Sequence, residues 1–318
     1  MRDAMTGIAR FGSFYAGGRR LVVEGRPTRT ISFTDTASMT YDPNGLYHIE
    51  QAYVQYFVPE QPNGGLPVVF LHGGGMTGAM WEQTPDGRAG WAQHFVKAGF
   101  TVNVVDNVER GRAGWTPFED VWPGPPIVRN TQEAWGLFRI GAAECFPQRQ
   151  PFAGQRFPVD CLDELAMGAV PRWLSNNPAA IQAFGAVLDR VGPCAVVSHS
   201  HGGYIALQAA STRPDIVRAM VLLEPSGFLS GDALRAMDGT EFLFVYGDNL
   251  DATPLWCDLM REAAAFRHEL ERAGARVDWW EMARRGVRGN SHLLMMDDNS
   301  DAIAGDIATW LLRAAKAD

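Results

Sequence analysis

Three side-chain types that together make a strong nucleophile stand in this sequence where a fold can bring them together. An apolar run, Ala195 to Val197, stops at Ser198 and is followed by His199-Ser200-His201-Gly202-Gly203; helical spacing then runs to about Arg213, and Pro214 ends it. A buried strand that passes straight into a helix needs a very sharp turn. Small residues two before and two after the centre, here Ser198 and Gly202, let strand and helix approach. The central Ser200 is then held on a strained turn with its hydroxyl above the strand end. A serine hydroxyl is a poor nucleophile at neutral pH and needs a base. His292, in Gly289-Asn290-Ser291-His292 beyond the last strand and before the final helix, fits that role. His72, His199 and His201 are the other candidates, and packing beside the serine and a glycine loop accounts for them. The base needs a carboxylate to fix its tautomer and stabilise the imidazolium. Glu224 closes the apolar run Val217 to Leu223, where an unpaired carboxylate is costly; Asp248 and Asp251 lie in the turn after Glu241 to Tyr246. Glu224 is the favoured acid and Asp251 the alternative.

These residues must be carried by strand ends. Val68 to Leu71 is apolar on both faces, as a strand covered by helices on both sides is, and it runs into His72-Gly73-Gly74-Gly75. Glycines there let the backbone approach a ligand with its N–H groups turned inward. Trp91, Phe95 and Val96 mark a helix ending at Gly99; Phe100 to Val105 is the next buried strand. After the Ser200 turn, strands at Val217 to Leu223, Glu241 to Tyr246 and Arg276 to Met282 alternate with helices, including Leu255 to Ala273 and a C-terminal one striped by Ile303, Ile307, Trp310 and Leu311. That alternation predicts an α/β fold with a mostly parallel, doubly wound sheet and helices on both faces. Residues 1–60 read as antiparallel lead-in strands (Arg20 to Glu24, Thr28 to Thr34, Leu46 to Val58), with 1–18 unassigned. Asp106 and Cys194 are 88 residues apart, far more than a crossover requires. The excess, about 111–177, is rich in Trp, Phe and Pro and reads as an inserted cap over the sheet edge within a single domain, 1–318.

Ser198-His199-Ser200-His201-Gly202, His72-Gly73-Gly74-Gly75 and Gly289-Asn290-Ser291-His292 resemble the α/β-hydrolase superfamily, over roughly residues 65–318. Ser198 stands where the family's usual pattern has glycine. The chain is similar to a bacterial esterase group with a Ser-His-Glu triad, in which the acid follows the sixth strand; that implies Glu224. In most of the superfamily the acid follows the seventh strand, which would imply Asp248 or Asp251. The resemblance implies an oxyanion hole formed by the backbone of His201 and Gly74, with Gly75 as the neighbouring choice, and a structural role for the turn from Asp106 to Gly111. It implies a serine esterase working through an acyl-enzyme on a small or medium, fairly apolar ester, with no metal and no organic cofactor. Met76, Trp81 and the aromatic cap would line the substrate or form plain core. A lactonase, amidase, lyase or cofactor-free haloperoxidase uses the same triad, and a non-catalytic binding protein uses the same fold.

Bulk properties bound the remaining roles. With 46% hydrophobic and 20% charged residues the chain can bury a large core; at net charge −8 and with no basic cluster it is not expected to bind nucleic acid. No apolar run approaches the ~20 residues that span a bilayer, and Met1 to Thr6 has no secretory apolar core. A soluble protein is expected, cytoplasmic or a mature exported form. Of the four cysteines, Cys145 and Cys161 are expected to bridge and brace the cap, which would favour export. Trp and Phe side chains on the cap offer an interface for a homodimer.

Overall fold

The computed structural model describes residues 7–314. Two long strands, β1 (Ile8–Val23) and β4 (Gly45–Pro59), pair antiparallel along almost their whole length; between them β2 (Arg29–Ser32) and β3 (Ser38–Tyr41) form a separate exposed hairpin. The chain then alternates: β5 (Val68–Leu71), α1 (Trp91–Lys97), β6 (Val102–Asp106), a long insertion carrying α2 (Thr131–Leu137) and α3 (Leu162–Met167), α4 (Asn177–Val191), β7 (Cys194–His199), α5 (His201–Ala210), β8 (Val217–Leu223), β9 (Glu241–Tyr246), α6 (Pro254–Arg272), β10 (Arg276–Glu281) and α7 (Ser300–Ala314). The main sheet has eight strands in the order β1-β4-β6-β5-β7-β8-β9-β10. The six strands from β6 to β10 run parallel, and β4 joins β6 antiparallel.

The doubly apolar strands split their side chains between two cores. Phe70, Val104, Val197 and Val221 face one side with α1 and α7; Val69, Val105, Val196 and Leu222 face the other with α4, α5 and α6. That two-sided burial produces the unbroken apolar runs of the sequence. The insertion is not a loose lid. Its Trp135, Phe138, Ile140, Phe157, Leu162 and Leu165 are buried in the same cluster as Phe70 and Val197.

The N-terminal segment holds more strand than the sequence shows, and the expected disulfide does not form. The segment left unassigned, 1–18, is largely strand: β1 begins at Ile8, while residues 1–6 lie outside the described residues. Its glycines hide the alternation. Gly17, at φ +70°, sits where a Cβ would come within 2.7 Å of Ala183 Cα in α4, so only glycine lets that helix lie on the strand. The segment from Thr28 to Thr34 leaves the main sheet for the small hairpin. The Cys145–Cys161 bridge is absent: all four cysteines are free. The cap is braced by its buried aromatics, by the Arg149–Asp163 ion pair (2.6 Å), and by Gln155 Nε2, which donates to the carbonyls of Arg139 (2.8 Å) and Ile140 (2.9 Å). The inference of export that rested on the bridge falls with it. Among the described residues no helix is long and apolar enough to cross a membrane, and no group of His, Cys, Asp and Glu is placed to hold a metal ion.

Candidate active site

β7 delivers Ser200 to the C-terminal edge of the sheet, and Ser200 links it to α5 with φ +52° and ψ −122°. That is backbone space an L side chain avoids, held here by the packing around it. Gly202 is the tightest point: a Cβ there would lie 2.3 Å from the His72 carbonyl oxygen, so α5 reaches β5 only through a glycine. Ser198 is fully buried and fits the place where the resemblance expects glycine; its Oγ has no protein partner. Ser200 N–H donates to the Leu223 carbonyl (2.9 Å) and its carbonyl accepts from Ser226 N–H (3.2 Å), which ties the turn to the end of β8.

Glu224 ends β8 with φ +46° and is fully buried. Its Oε2 accepts from His292 Nδ1 at 2.5 Å. Its Oε1 accepts from the Gly247 N–H at 2.7 Å and from Arg139 Nη2 at 2.5 Å. Burial alone would raise this carboxyl, but the Arg139 guanidinium and the bond to His292 outweigh burial and hold it at about 2. Because Nδ1 donates to Glu224, the neutral His292 ring keeps Nε2 as its acceptor. Burial, only partly opposed by Glu224, lowers the His292 pKa below its usual value, so the resting ring is neutral.

The loop carrying His292 is fixed from several sides. Asp297 accepts from Ser291 N–H (2.9 Å), Ser291 Oγ (2.7 Å) and Asn290 Nδ2 (2.8 Å). His292 N–H donates to the Phe138 carbonyl in the cap (2.9 Å). Around the imidazole stand the rings of His199, Trp256 and Phe138, with centroids at 4.4, 4.5 and 5.5 Å. His199 Nε2 donates to the His292 carbonyl at 3.0 Å; burial drives its pKa well down, so it serves as a neutral buttress. His72 is likewise neutral, pushed by burial to about 4; its Nδ1 donates to the Gly73 carbonyl and its Nε2 accepts from Asn107 N–H.

The glycine loop after β5 folds over the Ser200 turn. A Cβ on Gly73 would lie 3.5 Å from Ser200 Cβ, and one on Gly74 3.4 Å from His201 Cβ. The N–H of Gly74 has no acceptor among the described residues, and that of His201, opening α5, is left free as first-turn donors are. Asp106 anchors the loop's far side by accepting from Gly78 N–H (2.6 Å) and from Arg112, the structural role expected of that turn.

Serine, histidine and Glu224 thus converge on one sheet edge, whereas the Asp251 side chain is exposed and makes no hydrogen bond or ion pair with the described residues. Asp248 braces the loop instead, accepting from Gly289 N–H at 2.9 Å. Sequence reasoning missed Arg139 and Asp297. Arg139 has no motif around it; the one available signal was that a buried Glu224 requires a cation, without saying which.

No family model matches this sequence. In fold and sequence it is similar to a solved bacterial esterase, with a TM-score of 0.83 and 29% identity over 98% of this chain and 97% of that one. It is 26% identical to a probable secreted lipase, phiG, of a fungal species, over 84% of this chain and 87% of the relative. It is 32% identical to the lipase LipV of Mycobacterium tuberculosis over 38% of this chain and 51% of that protein.

Proposed function

We propose that this chain, which belongs to the α/β-hydrolase superfamily, is a serine carboxylic-ester hydrolase with Ser200, His292 and Glu224 as its triad. The observation that carries the reading is the buried His292–Glu224 pair at the strand end next to the strained Ser200 turn. A neutral imidazole held at Nδ1 by a carboxylate is the arrangement a base needs. His292 Nε2 takes the Ser200 proton as Oγ attacks the ester carbonyl. The N–H groups of His201 and Gly74 receive the oxyanion, His292 returns the proton to the leaving alkoxide, and water repeats the sequence on the acyl-enzyme. A small crevice between the glycine loop and the cap, lined mostly by apolar side chains (Met76, Ala134, Phe138, Leu162, Leu165) with Arg129 and Thr131 among them, is the place for the acyl or alcohol group.

Hydrolysis of p-nitrophenyl acetate and butyrate by four proteins tests this. Ser200→Ala should abolish turnover, Glu224→Gln should lower kcat by about 10²- to 10⁴-fold, and Asp251→Asn should match wild type. A crippled Asp251→Asn with an active Glu224→Gln would remove Glu224 from the triad. Absence of Ser200-dependent turnover, with no fluorophosphonate labelling of Ser200, would sink the esterase reading itself.

A further inference from the structure

The geometry points to Arg172, backed by Arg110, as an anchor for an anionic group of the substrate, so that the preferred esters carry a carboxylate close to the scissile carbonyl; this rests on the ester-hydrolase reading and narrows it. The segment following α3 lies directly on the glycine loop. Val170 N–H donates to the Gly75 carbonyl at 3.0 Å, and Arg110 Nη1 to the Pro171 carbonyl at 2.7 Å. Arg172 Nη1 lies only 2.5 Å from where a Gly74 Cβ would be, so the guanidinium is pressed against the backbone proposed to receive the oxyanion.

Both cations lack a carboxylate partner. Around this site Arg139 is paired with Glu224, Arg112 with Asp106 and Arg129 with Glu133. Neither Arg110 nor Arg172 has a carboxylate at ion-pair distance among the described residues, and the Nε of each is buried without an acceptor. Glu109, next to Arg110 in sequence, acts on it only beyond ion-pair distance, and its Oε2 accepts from Thr116 N–H. Arg110 is almost fully buried. His201, beside them, is pushed to about 3 by burial and then by these two arginines, so the ring adds no charge of its own. A desolvated cation without a counter-ion is costly, and this chain has an excess of acids from which to draw one. A buried Arg110 and a half-buried Arg172 beside the reacting centre are explained by an anion that arrives with the substrate. A guanidinium presents the fork that matches a carboxylate. The mostly apolar crevice holding Met76, Phe138 and Leu165, whose cation Arg129 is paired with Glu133, takes the rest of the molecule.

The test compares monoethyl succinate with ethyl butyrate, esters of the same acyl length with and without a terminal carboxylate, by pH-stat. The quantity read is the ratio of their kcat/KM values in wild type, Arg172→Gln and Arg172→Lys. Arg172→Gln should lower the ratio about ten- to a hundredfold, and Arg172→Lys, which keeps the charge but not the fork, should lower it less. An unchanged ratio, including an equal loss on both esters, overturns the anchor and leaves Arg172 as support for the oxyanion alone. Calorimetric titration with succinate separates this outcome from failure of the hydrolase reading. If wild type cleaves neither ester but binds succinate more tightly than Arg172→Gln does, the anchor stands without the esterase; equal binding by the two proteins overturns it.

Discussion

Ser200 and Glu224 share a backbone state that L residues seldom adopt, at φ +52° and +46°. Each costs on the order of 1–3 kcal/mol, and each turns a reactive side chain upward at the end of its strand. The His292 ring is bound to Glu224 through Nδ1, and in the proposed triad its protonation state sets when the serine can be activated. Burial lowers its pKa below the ordinary value, so the neutral base persists below pH 6.5. The acid limb of kcat/KM for a neutral ester should therefore fall off below pH 6.5, not at it, and activity should be lost as pH drops further and the ring charges. A limb at or above pH 6.5 would mean that Glu224 stabilises the imidazolium more than burial opposes it. The positions of Ser200 and His292 as candidates were legible in the sequence because small residues and a strand-to-helix switch mark one and the loop before the last helix marks the other. Glu224 was legible through its cost, as an acid closing a fully apolar run. Arg139 was not, because an arginine among cap loops carries no pattern that separates it from a surface one.

At the scale of elements, the residue that joins the cap to the proposed triad is Arg139, just beyond α2. Its guanidinium donates to Glu224 and, through Nε, to the Asp248 carbonyl at 2.8 Å, and it stacks 4.4 Å over Trp256 at the start of α6. Three elements therefore meet at one buried cation. Truncation by Arg139→Met leaves Glu224 a buried carboxylate with one cationic partner fewer, at an expected cost of about 3–5 kcal/mol. The sign with pH follows from the pair. In the folded wild type Glu224 is held at about 2, below the unfolded carboxylate value, so its contribution is present above that unfolded value and fades as pH falls toward 2. The loss caused by Arg139→Met, read by urea unfolding, should be largest near pH 7 and shrink near pH 3. A loss independent of pH would show that the packing on Trp256, not the charge, is what Arg139 contributes. The strands from β5 to β9 were readable because two-sided burial writes itself as largely apolar runs, and the edge strand β10 because Val277, Trp279 and Trp280 mark it between charged residues. β1 was only half readable because Gly12, Gly17 and Gly18 replace the side chains that would have alternated.

Over the whole molecule, the arrangement of the two cores decides how the cap behaves. The insertion puts Trp135, Phe138, Ile140, Phe157, Leu162 and Leu165 into the cluster that also holds Phe70, Val197, Trp91 and Ile303, so no layer of solvent separates lid from body. Polar ties reinforce that contact: Trp256 Nε1 donates to the Leu137 carbonyl at 2.8 Å, and Arg156 pairs with Asp298 at 2.8 Å. A cap bound this way should unfold with the sheet rather than before it. We expect one thermal transition, with loss of esterase activity, near-ultraviolet circular dichroism and far-ultraviolet circular dichroism coincident. Phe157, almost fully buried in the cap, probes the coupling: Phe157→Ala should destabilise that single global transition by about 3–5 kcal/mol, because the cavity it leaves lies in the shared core. An early transition carrying activity and cap signals ahead of the far-ultraviolet change would separate the two, and Phe157→Ala would then shift only the early one. The proposed triad favours the first outcome, because the Phe138 carbonyl that accepts from His292 N–H and the Arg139 cation that pairs with Glu224 both come from the cap. A cap that opened freely would take His292 and Glu224, the proposed base and acid, out of register each time it moved.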